Sequence, residues 1–322
     1  MKRFSLALVL GLLAVLLPAP AHAADELRWA VQPSTEQGPN GRGAFEYKAA
    51  PGQQILDYVG ISNLSATDLT LSVYATDAFT ATDGAFSLLP ASQKPKDLGT
   101  WTDMVPRKYT IAVGKRVDIP FRLTIPANVT PGDHAGGIIA SVSQEQTGAD
   151  GKKVNVDKRV AARVYVRVEG PLRPLAEVSS VKVEYDNPWN PFAGGDMTVT
   201  YYLRNSGNVR VAGAVNVRAR APLGIGLGAA GDAPVPEMLP GSEIAVTRRI
   251  PGVAPLGRLS ALVTFNPVSA DGRLAGATGT GSVWAPPWLP LGLVFGLVVA
   301  FLAARVVRRR RRALVARAAA LA

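Results

Sequence analysis

Residues 117–125 read VDIPFRLTI, and their apolar and polar side chains alternate along the whole stretch. Successive side chains of a β-strand point to opposite faces of the sheet, so this period of two predicts a strand with one buried and one wet face. The same alternation returns in residues 69–75, LTLSVYA, and 160–168, VAARVYVRV. No convincing helical stripe occurs between residues 24 and 283. We therefore expect an all-β region made of antiparallel sandwiches and not a parallel α/β core.

A stiff segment at residues 170–174, GPLRP, separates two sets of alternating strands. In the first set, residues 55–61 lead into the turn 62–65, SNLS. In the second set, residues 197–203 lead into 205–208, NSGN. A strand that closes in an asparagine turn before another alternating strand is common to both. This shared layout predicts two tandem immunoglobulin-like β-sandwiches, at 24–170 and 171–283.

Two apolar segments stand at the ends of the chain. Residues 1–23 combine a basic start, an apolar run and the small-x-small ending AHA, which predicts a cleaved signal peptide. Residues 284–304 predict one transmembrane α-helix, whose core 288–304, WLPLGLVFGLVVAFLAA, holds no charge. We assign Trp288 to the membrane interface and expect Phe295 and Phe301 within the span.

The net charge of +11 is concentrated at the two ends of the chain. Lys2 and Arg3 precede the first apolar segment, and the tail 305–322 contains arginines but no acid. The remaining ectodomain is almost neutral, which excludes the basic face that a nucleic-acid-binding protein needs. The positive-inside rule places the tail in the cytoplasm and the β region outside a cell membrane crossed once. The topology-setting residues are Arg305, Arg308, Arg309, Arg310, Arg311 and Arg312.

The sequence offers few groups for catalysis. The chain has no cysteine, and the predicted cleavage leaves His134 as its one histidine, so neither thiolate nor multi-histidine metal sites are expected. With no nucleophile elbow or zinc motif, we expect no cofactor and a non-enzymatic protein. The glycine-rich segment 224–228, GIGLG, lacks the setting of a phosphate loop. Its Ile225 and Leu227 are hypothesised to contact a partner if they are exposed.

One aromatic residue suggests a binding surface. Trp101 lies in a polar stretch, where an exposed ring can stack on a sugar while nearby cations meet acidic groups of a cell wall. The predicted ligand-binding set is Trp101, Lys94, Lys96 and Arg107. The alternative is that Trp101 closes the end of the sandwich.

Several spaced segments of the first domain resemble the N-terminal domain of WxL-interacting proteins, the WxL peptidoglycan-binding domain. They are residues 27–33 (LRWAVQP), Phe45 with Tyr47, 50–53 (APGQ), 74–79 (YATDAF), Trp101, and 131–137 (PGDHAGG). The resemblance implies a membrane-anchored surface protein of a Gram-positive bacterium. Its first domain would contact peptidoglycan and its second domain a surface protein. The alternatives are a structural or accessory subunit of a membrane or surface complex with no glycan binding, and an unrecognised hydrolase.

Overall fold

The computed structural model describes residues 27–104, 107–147, 152–188, 190 and 193–319. The predicted signal peptide lies outside these residues. The described residues are mostly β-strand, followed by one long C-terminal helix. The expected all-β region with an apolar C-terminal helix is therefore confirmed.

The first β unit consists of two sheets. One sheet has the strand order β2 (Gly38–Pro39), β1 (Trp29–Thr35), β4 (Gln54–Asn63), β9 (Arg116–Thr124) and β7 (Thr102–Asp103). The other has the order β3 (Phe45–Ala49), β11 (Lys153–Val168), β10 (Gly132–Thr147), β5 (Leu69–Thr80) and β6 (Phe86–Leu88), with β8 (Arg107–Ile111) also paired to β5. A single helical turn, α1 (Leu98–Trp101), precedes β7.

The alternating side chains fill one core between these sheets. Phe121 is buried while its neighbour Arg122 is exposed, as the pattern in β9 predicts. The Phe121 ring meets the ring of Phe45 from the facing sheet edge to face, with centroids 5.1 Å apart. The indole Nε1 of Trp29 in β1 donates to the carbonyl of Ala140 in β10 at 3.1 Å. The two sheets therefore pack against each other as layers of one unit.

One strand pair departs from the expected antiparallel arrangement. β3 runs parallel to β11, with Phe45 opposite Val164. The chain leaves β3 through the turn at 51–52 and enters β4 in the other sheet, so β3 crosses between layers instead of reversing within one.

The second β unit follows a short connection after β11. Its smaller sheet has the order β12 (Ala176–Asp186), β13 (Gly195–Asn205) and β16 (Glu243–Val253). The facing sheet has the order β15 (Gly226–Met238), β14 (Val211–Arg220), β17 (Gly257–Ser269) and β18 (Gly272–Arg273), and β19 (Ala277–Ala285) also pairs with β17. Side chains from both sheets share a second, separate core.

The two units repeat one connectivity. The order β1-β4-β9 corresponds to β12-β13-β16, and β8-β5-β10-β11 corresponds to β15-β14-β17-β19. The asparagine turns occupy equivalent places, and Asn63 and Asn205 are both buried. Each Nδ2 donates to the carbonyl four residues later and to the last residue of the neighbouring strand, Ile111 or Met238. Each Oδ1 accepts the N–H two residues later.

The C-terminal helix α2 (Trp288–Ala319) stands apart from both cores. Its segment Trp288–Arg310 is long and apolar enough to cross a membrane, and none of that segment's apolar window is buried. Trp288, Phe295 and Phe301 are all exposed on it. The segment predicted from residue 284 begins later, since Trp284 and Ala285 belong to β19. The helix continues through the arginines at 305 and 308–312.

The cleft between the two β units as a candidate functional site

The two β units touch through the turn that begins β10. The backbone N–H of Asp133 donates to the carbonyl of Asn208 at 2.8 Å, and the Asn208 Nδ2 donates to the carbonyl of Pro131 at 2.8 Å. Gly132 has φ +122°, and a Cβ there would lie 2.1 Å from the Asn208 carbonyl oxygen. Glycine is therefore required at 132 for the two backbones to approach this closely.

The Asp133 carboxylate is the centre of this interface. Its side chain is 3% exposed and accepts hydrogen bonds from Nε and Nη2 of Arg167 at 2.6 and 2.8 Å. It also accepts the backbone N–H of Arg210, in the second unit, at 2.6 Å. Burial opposes ionisation, but these hydrogen bonds outweigh it and lower the pKa of Asp133. The Arg167 Nη1 donates to Asp271 of the second unit at 2.7 Å, so one guanidinium bridges both units.

Further contacts extend the interface. The backbone N–H of Leu239 donates to the Thr80 hydroxyl at 3.0 Å, and that of Ala245 donates to the Thr82 carbonyl at 3.1 Å. The Leu239 side chain packs in a small apolar cluster with Tyr165 of the first unit. Because these hydrogen bonds join the two units at several separate points, they fix both the position and the rotation of one unit relative to the other.

A cleft of about 630 Å³ opens beside this interface. Its buried floor is Tyr165, whose ring lies 3.9 Å beneath the guanidinium carbon of Arg210. The Arg210 Nη1 forms an ion pair with Glu237 at 2.9 Å, and the Tyr165 hydroxyl reaches the same carboxylate at 3.3 Å. Burial and the neighbouring Glu237 raise the pKa of Tyr165, so the phenol stays neutral at physiological pH.

Arg163 provides the exposed cation of this cleft. Its guanidinium carbon lies 4.9 Å from the centroid of the Phe86 ring, which holds it by a cation–π contact. Within the described part of the chain, no carboxylate forms an ion pair with it. A guanidinium positioned on a ring without a carboxylate partner can bind a carboxylate or phosphate in bidentate fashion.

The predicted ligand-binding residues lie elsewhere and do not surround an exposed ring. Trp101 is 7% exposed and packs in the first core, with its ring centroid 4.6 Å from that of His134. No Lys or Arg side chain stacks on it among the described residues. Lys94 and Lys96 are exposed in the loop between β6 and α1, and Arg107 is exposed at the start of β8. The assumption of an exposed tryptophan is not met, and ligand binding by this set stays a prediction.

Backbone hydrogen bonds explain why Trp101 points inward. The Asp77 carboxylate accepts the N–H groups of Lys96, Asp97 and Gly99 at 2.5, 2.9 and 2.7 Å. This carboxylate fixes the loop that leads into α1. A Cβ at Gly136 would lie 2.8 Å from Cδ2 of Leu98, so the glycine makes room for the helical turn on β10. The loop is part of the core, as the alternative interpretation of Trp101 expects.

His134 links this loop to the interface. Its Nδ1 lies 2.8 Å from Asp97 Oδ2, and its Nε2 lies 2.9 Å from the Thr130 carbonyl. Both partners present acceptor oxygens to the ring. A protonated imidazole has two N–H donors and can therefore satisfy both of them. Burial opposes the charge, but the hydrogen bonds to Asp97 and Thr130, together with the negative charges of Asp97 and Asp133, outweigh it and raise the pKa of His134. Across the described ranges, no three His, Cys, Asp or Glu side chains are grouped so as to hold a metal ion.

Sequence reasoning did not identify the cleft. Arg163, Tyr165 and Arg167 occupy the polar positions of the alternating β11 segment, where solvent exposure was expected. The available signal was their spacing, because residues two apart in a strand project from the same face. An Arg-x-Tyr-x-Arg pattern on a strand just before a linker places two cations and a ring next to the unit that follows the linker. Their partners near residues 208–210 and 237 come together with them only in the fold.

No family model and no curated protein matches this chain. Solved structures with similar chains include the Class 5 fimbriae chaperone CfaA, 10% identical with a TM-score of 0.34, which covers 79% of this chain and 98% of its own. The Escherichia coli chaperone DraB is 11% identical with a TM-score of 0.30 and coverages of 79% and 98%. The Pseudomonas aeruginosa CupB2 chaperone is 11% identical with a TM-score of 0.28 and coverages of 76% and 98%. At these TM-scores, no role of those proteins is extended to this chain.

Proposed function

We propose that this chain is a non-catalytic, membrane-anchored binding protein whose ligand occupies the cleft between two immunoglobulin-like sandwiches. The observation that carries the proposal is Arg163, a guanidinium without an ion-pair partner in the described residues, fixed at the mouth of a cleft between two locked units. The immunoglobulin-like class is supported by the seven principal strands of each unit, three facing four. The arginine-rich tail supports a cytoplasmic C-terminus with both sandwiches outside the membrane.

Peptidoglycan is the ligand we propose. Its peptide stems carry free carboxylates, which suit the bidentate geometry of Arg163. The partly exposed Phe86 ring, which packs on Tyr165 with centroids 5.9 Å apart, offers apolar surface beside that cation. The resemblance of residues 27–170 to the WxL-interacting family points to the same ligand and to a Gram-positive cell surface.

Co-sedimentation with insoluble peptidoglycan tests this proposal on the chain from 24 to 287. That chain retains both cores, because the apolar segment of α2 buries nothing against them. The wild-type chain should sediment at moderate salt, and Arg163→Gln should bind roughly ten- to hundredfold more weakly, since a hydrogen-bonded charge contributes roughly 1.5–3 kcal/mol. Arg122→Gln, on the exposed face of β9, is the matched control and should bind like the wild type.

Two results would count against the proposal. If the folded wild-type chain stays in the supernatant, peptidoglycan is not the ligand. If Arg163→Gln binds as well as Arg122→Gln, the ligand lies outside the cleft.

A second candidate function, an accessory subunit of a surface complex, is favoured by the open edge of β11. β10 pairs with all of β11, but β3 covers only Val164–Val168, and no other described strand pairs with residues 153–163 on that side. A strand from a partner protein can extend such an edge. Lys153, Lys158 and Arg159 along it would favour an acidic partner strand. Crosslinking in native membranes from Lys158→Cys should then capture one protein that Arg122→Cys does not.

A further inference from the structure

The end of the second unit from which α2 leaves is built from three loops. They connect β12 to β13 (187–194), β14 to β15 (221–225) and β16 to β17 (254–256). Strand register places all three at one end. Gly195 lies opposite Val253, Arg220 lies opposite Ser260, and Gly257 lies opposite Ala285, the last residue before the linker to α2. The cleft lies at the other end of the same strands.

This end exposes large apolar side chains and no charged loop residue. We name as the apolar foot Leu223, Ile225, Leu256, Trp284 and Trp288, all of which are exposed. The described residues of the three loops include no Asp, Glu, Lys or Arg. Scattered exposed apolar residues are ordinary on a soluble protein, but several large ones at one end, on loops without charge, indicate an interaction surface.

Leu223 is the most pronounced case. Its side chain is 100% exposed, and it is the non-glycine residue with a positive φ, 63°, among the described residues. The left-handed conformation is unfavourable for a leucine, and here it holds the side chain where it meets only solvent. An apolar phase outside the protein would give this arrangement a favourable contact.

The linker between the second unit and α2 is two residues long, which keeps the apolar foot next to the start of the helix. Ala285 is fully buried in the second core and α2 begins at Trp288, so only Pro286 and Pro287 lie between them. The uncharged run 288–304 has 17 residues and rises about 26 Å, less than the roughly 30 Å of a hydrocarbon core. This shortfall draws Trp288 and the loops beside it toward the lipid headgroups.

Two further features fit a lipid surface. An apolar crevice of about 790 Å³ lies between the start of α2 and two of these loops, β12–β13 and β16–β17, with Leu256, Trp288 and Leu293 in its lining. The strands just above the loops carry Arg220 and Arg258, which can reach lipid phosphates. Of the acids at the same end, Asp196 forms an ion pair with Arg249 and Asp186 is exposed.

We propose that the apolar foot rests in the headgroup layer of the bilayer that α2 spans, so that the second unit stands on the lipid surface instead of swinging on its linker. This inference rests on the membrane anchoring in the proposed function. The occupant is lipid, since the foot is continuous with the spanning helix through two residues.

Because the chain has no cysteine, a single environment-sensitive NBD label can be attached at any chosen position. The full chain, reconstituted in phosphatidylcholine–phosphatidylglycerol vesicles, is labelled in turn at Leu223→Cys, Phe295→Cys and Val113→Cys. Val113 is exposed at the far end of the first unit and reports water. The label at 223 should be quenched by a lipid-borne nitroxide and be several-fold less accessible to aqueous iodide than the label at 113.

The outcomes separate the two proposals. If 295 is shielded from iodide while 223 is as accessible as 113, the anchor is correct and the foot does not touch lipid. If 223 is shielded from iodide but not quenched by the lipid nitroxide, a protein covers the foot and the lipid assignment is wrong. If 295 is accessible to iodide, the membrane anchoring itself fails.

A second experiment replaces two apolar side chains of the foot and keeps the vesicles unchanged. The chain from 24 to 287 should bind vesicles of the same composition, and Leu223→Ser with Ile225→Ser should weaken that binding by about tenfold or more. Unchanged binding of this double variant would overturn the role of the foot.

Discussion

Replacing Asp133 by alanine is expected to uncouple the two β units. The substitution removes the acceptor for two hydrogen bonds from Arg167 and one from the backbone of Arg210. Removing one partner of a buried ion pair costs about 3–5 kcal/mol, because the other charge stays buried without compensation. Arg167 keeps its contact with Asp271, so we expect the lower end, about 3 kcal/mol.

Asp271→Asn provides a matched control on the same guanidinium. The Asp271 side chain is 55% exposed, and exposed ion pairs contribute roughly 0–1 kcal/mol. Each variant therefore removes one carboxylate that contacts Arg167. Asp133→Ala removes a buried carboxylate, and Asp271→Asn removes a solvated one. Their difference measures how much burial makes Asp133 indispensable.

Urea denaturation of the chain from 24 to 287 measures both effects. In a Trp189→Phe, Trp284→Phe background, tryptophan fluorescence follows the first core, where Trp29 and Trp101 are buried, and circular dichroism follows both units. The wild type should show coincident transitions, and Asp133→Ala should show separated ones with the lower midpoint reduced. If Asp133→Ala shifts the midpoint no more than Asp271→Asn, the buried carboxylate does not hold the units together.

Three other results are expected. Asn63→Ala and Asn205→Ala should each lose roughly 2–4 kcal/mol of unfolding free energy in denaturant titrations, because each leaves buried backbone groups without partners, whereas Asn266→Ala, at an exposed site, should match the wild type. The raised pKa of His134 adds stability that is complete below about pH 6.5 and lost as pH rises through the folded value; thermal unfolding should show this loss, and its persistence in His134→Gln would contradict the assignment. Trp101→Ala should destabilise the first unit by about 3–5 kcal/mol in the same titrations, since the ring is buried, and a near-neutral effect would show that the ring is not part of the core.

The β character of the chain could be predicted because alternation is a local property. Phe121 and its neighbours in β9 show their buried face in nine consecutive residues. The asparagine turns were also visible, since Asn63 and Asn205 bond to groups two and four residues away. The start of α2 was placed too early because the apolar composition continues into β19, where pairing with β17 fixes Trp284 as strand.

The candidate site could not be predicted because its contacts join distant parts of the chain. Asp133 has no local feature that singles it out in the sequence, and its partners Arg167 and Arg210 lie 34 and 77 residues away. Trp101 sits among polar residues in the sequence, yet the Asp77 carboxylate bends its loop so that the ring faces inward. Neither outcome follows from composition near the residue concerned.

The length of β17 sets how far the cleft stands from the helix. This strand runs from Gly257, opposite the last residue of β19, to Ser269 in the cleft lining. Its 13 residues cover about 40 Å at the usual rise of a strand. Because the interface at Asp133 fixes the first unit on top of it, the second unit acts as a rigid spacer of set height. Under the proposed membrane anchoring, a ligand held elsewhere would have to come within that height of the bilayer to reach the cleft.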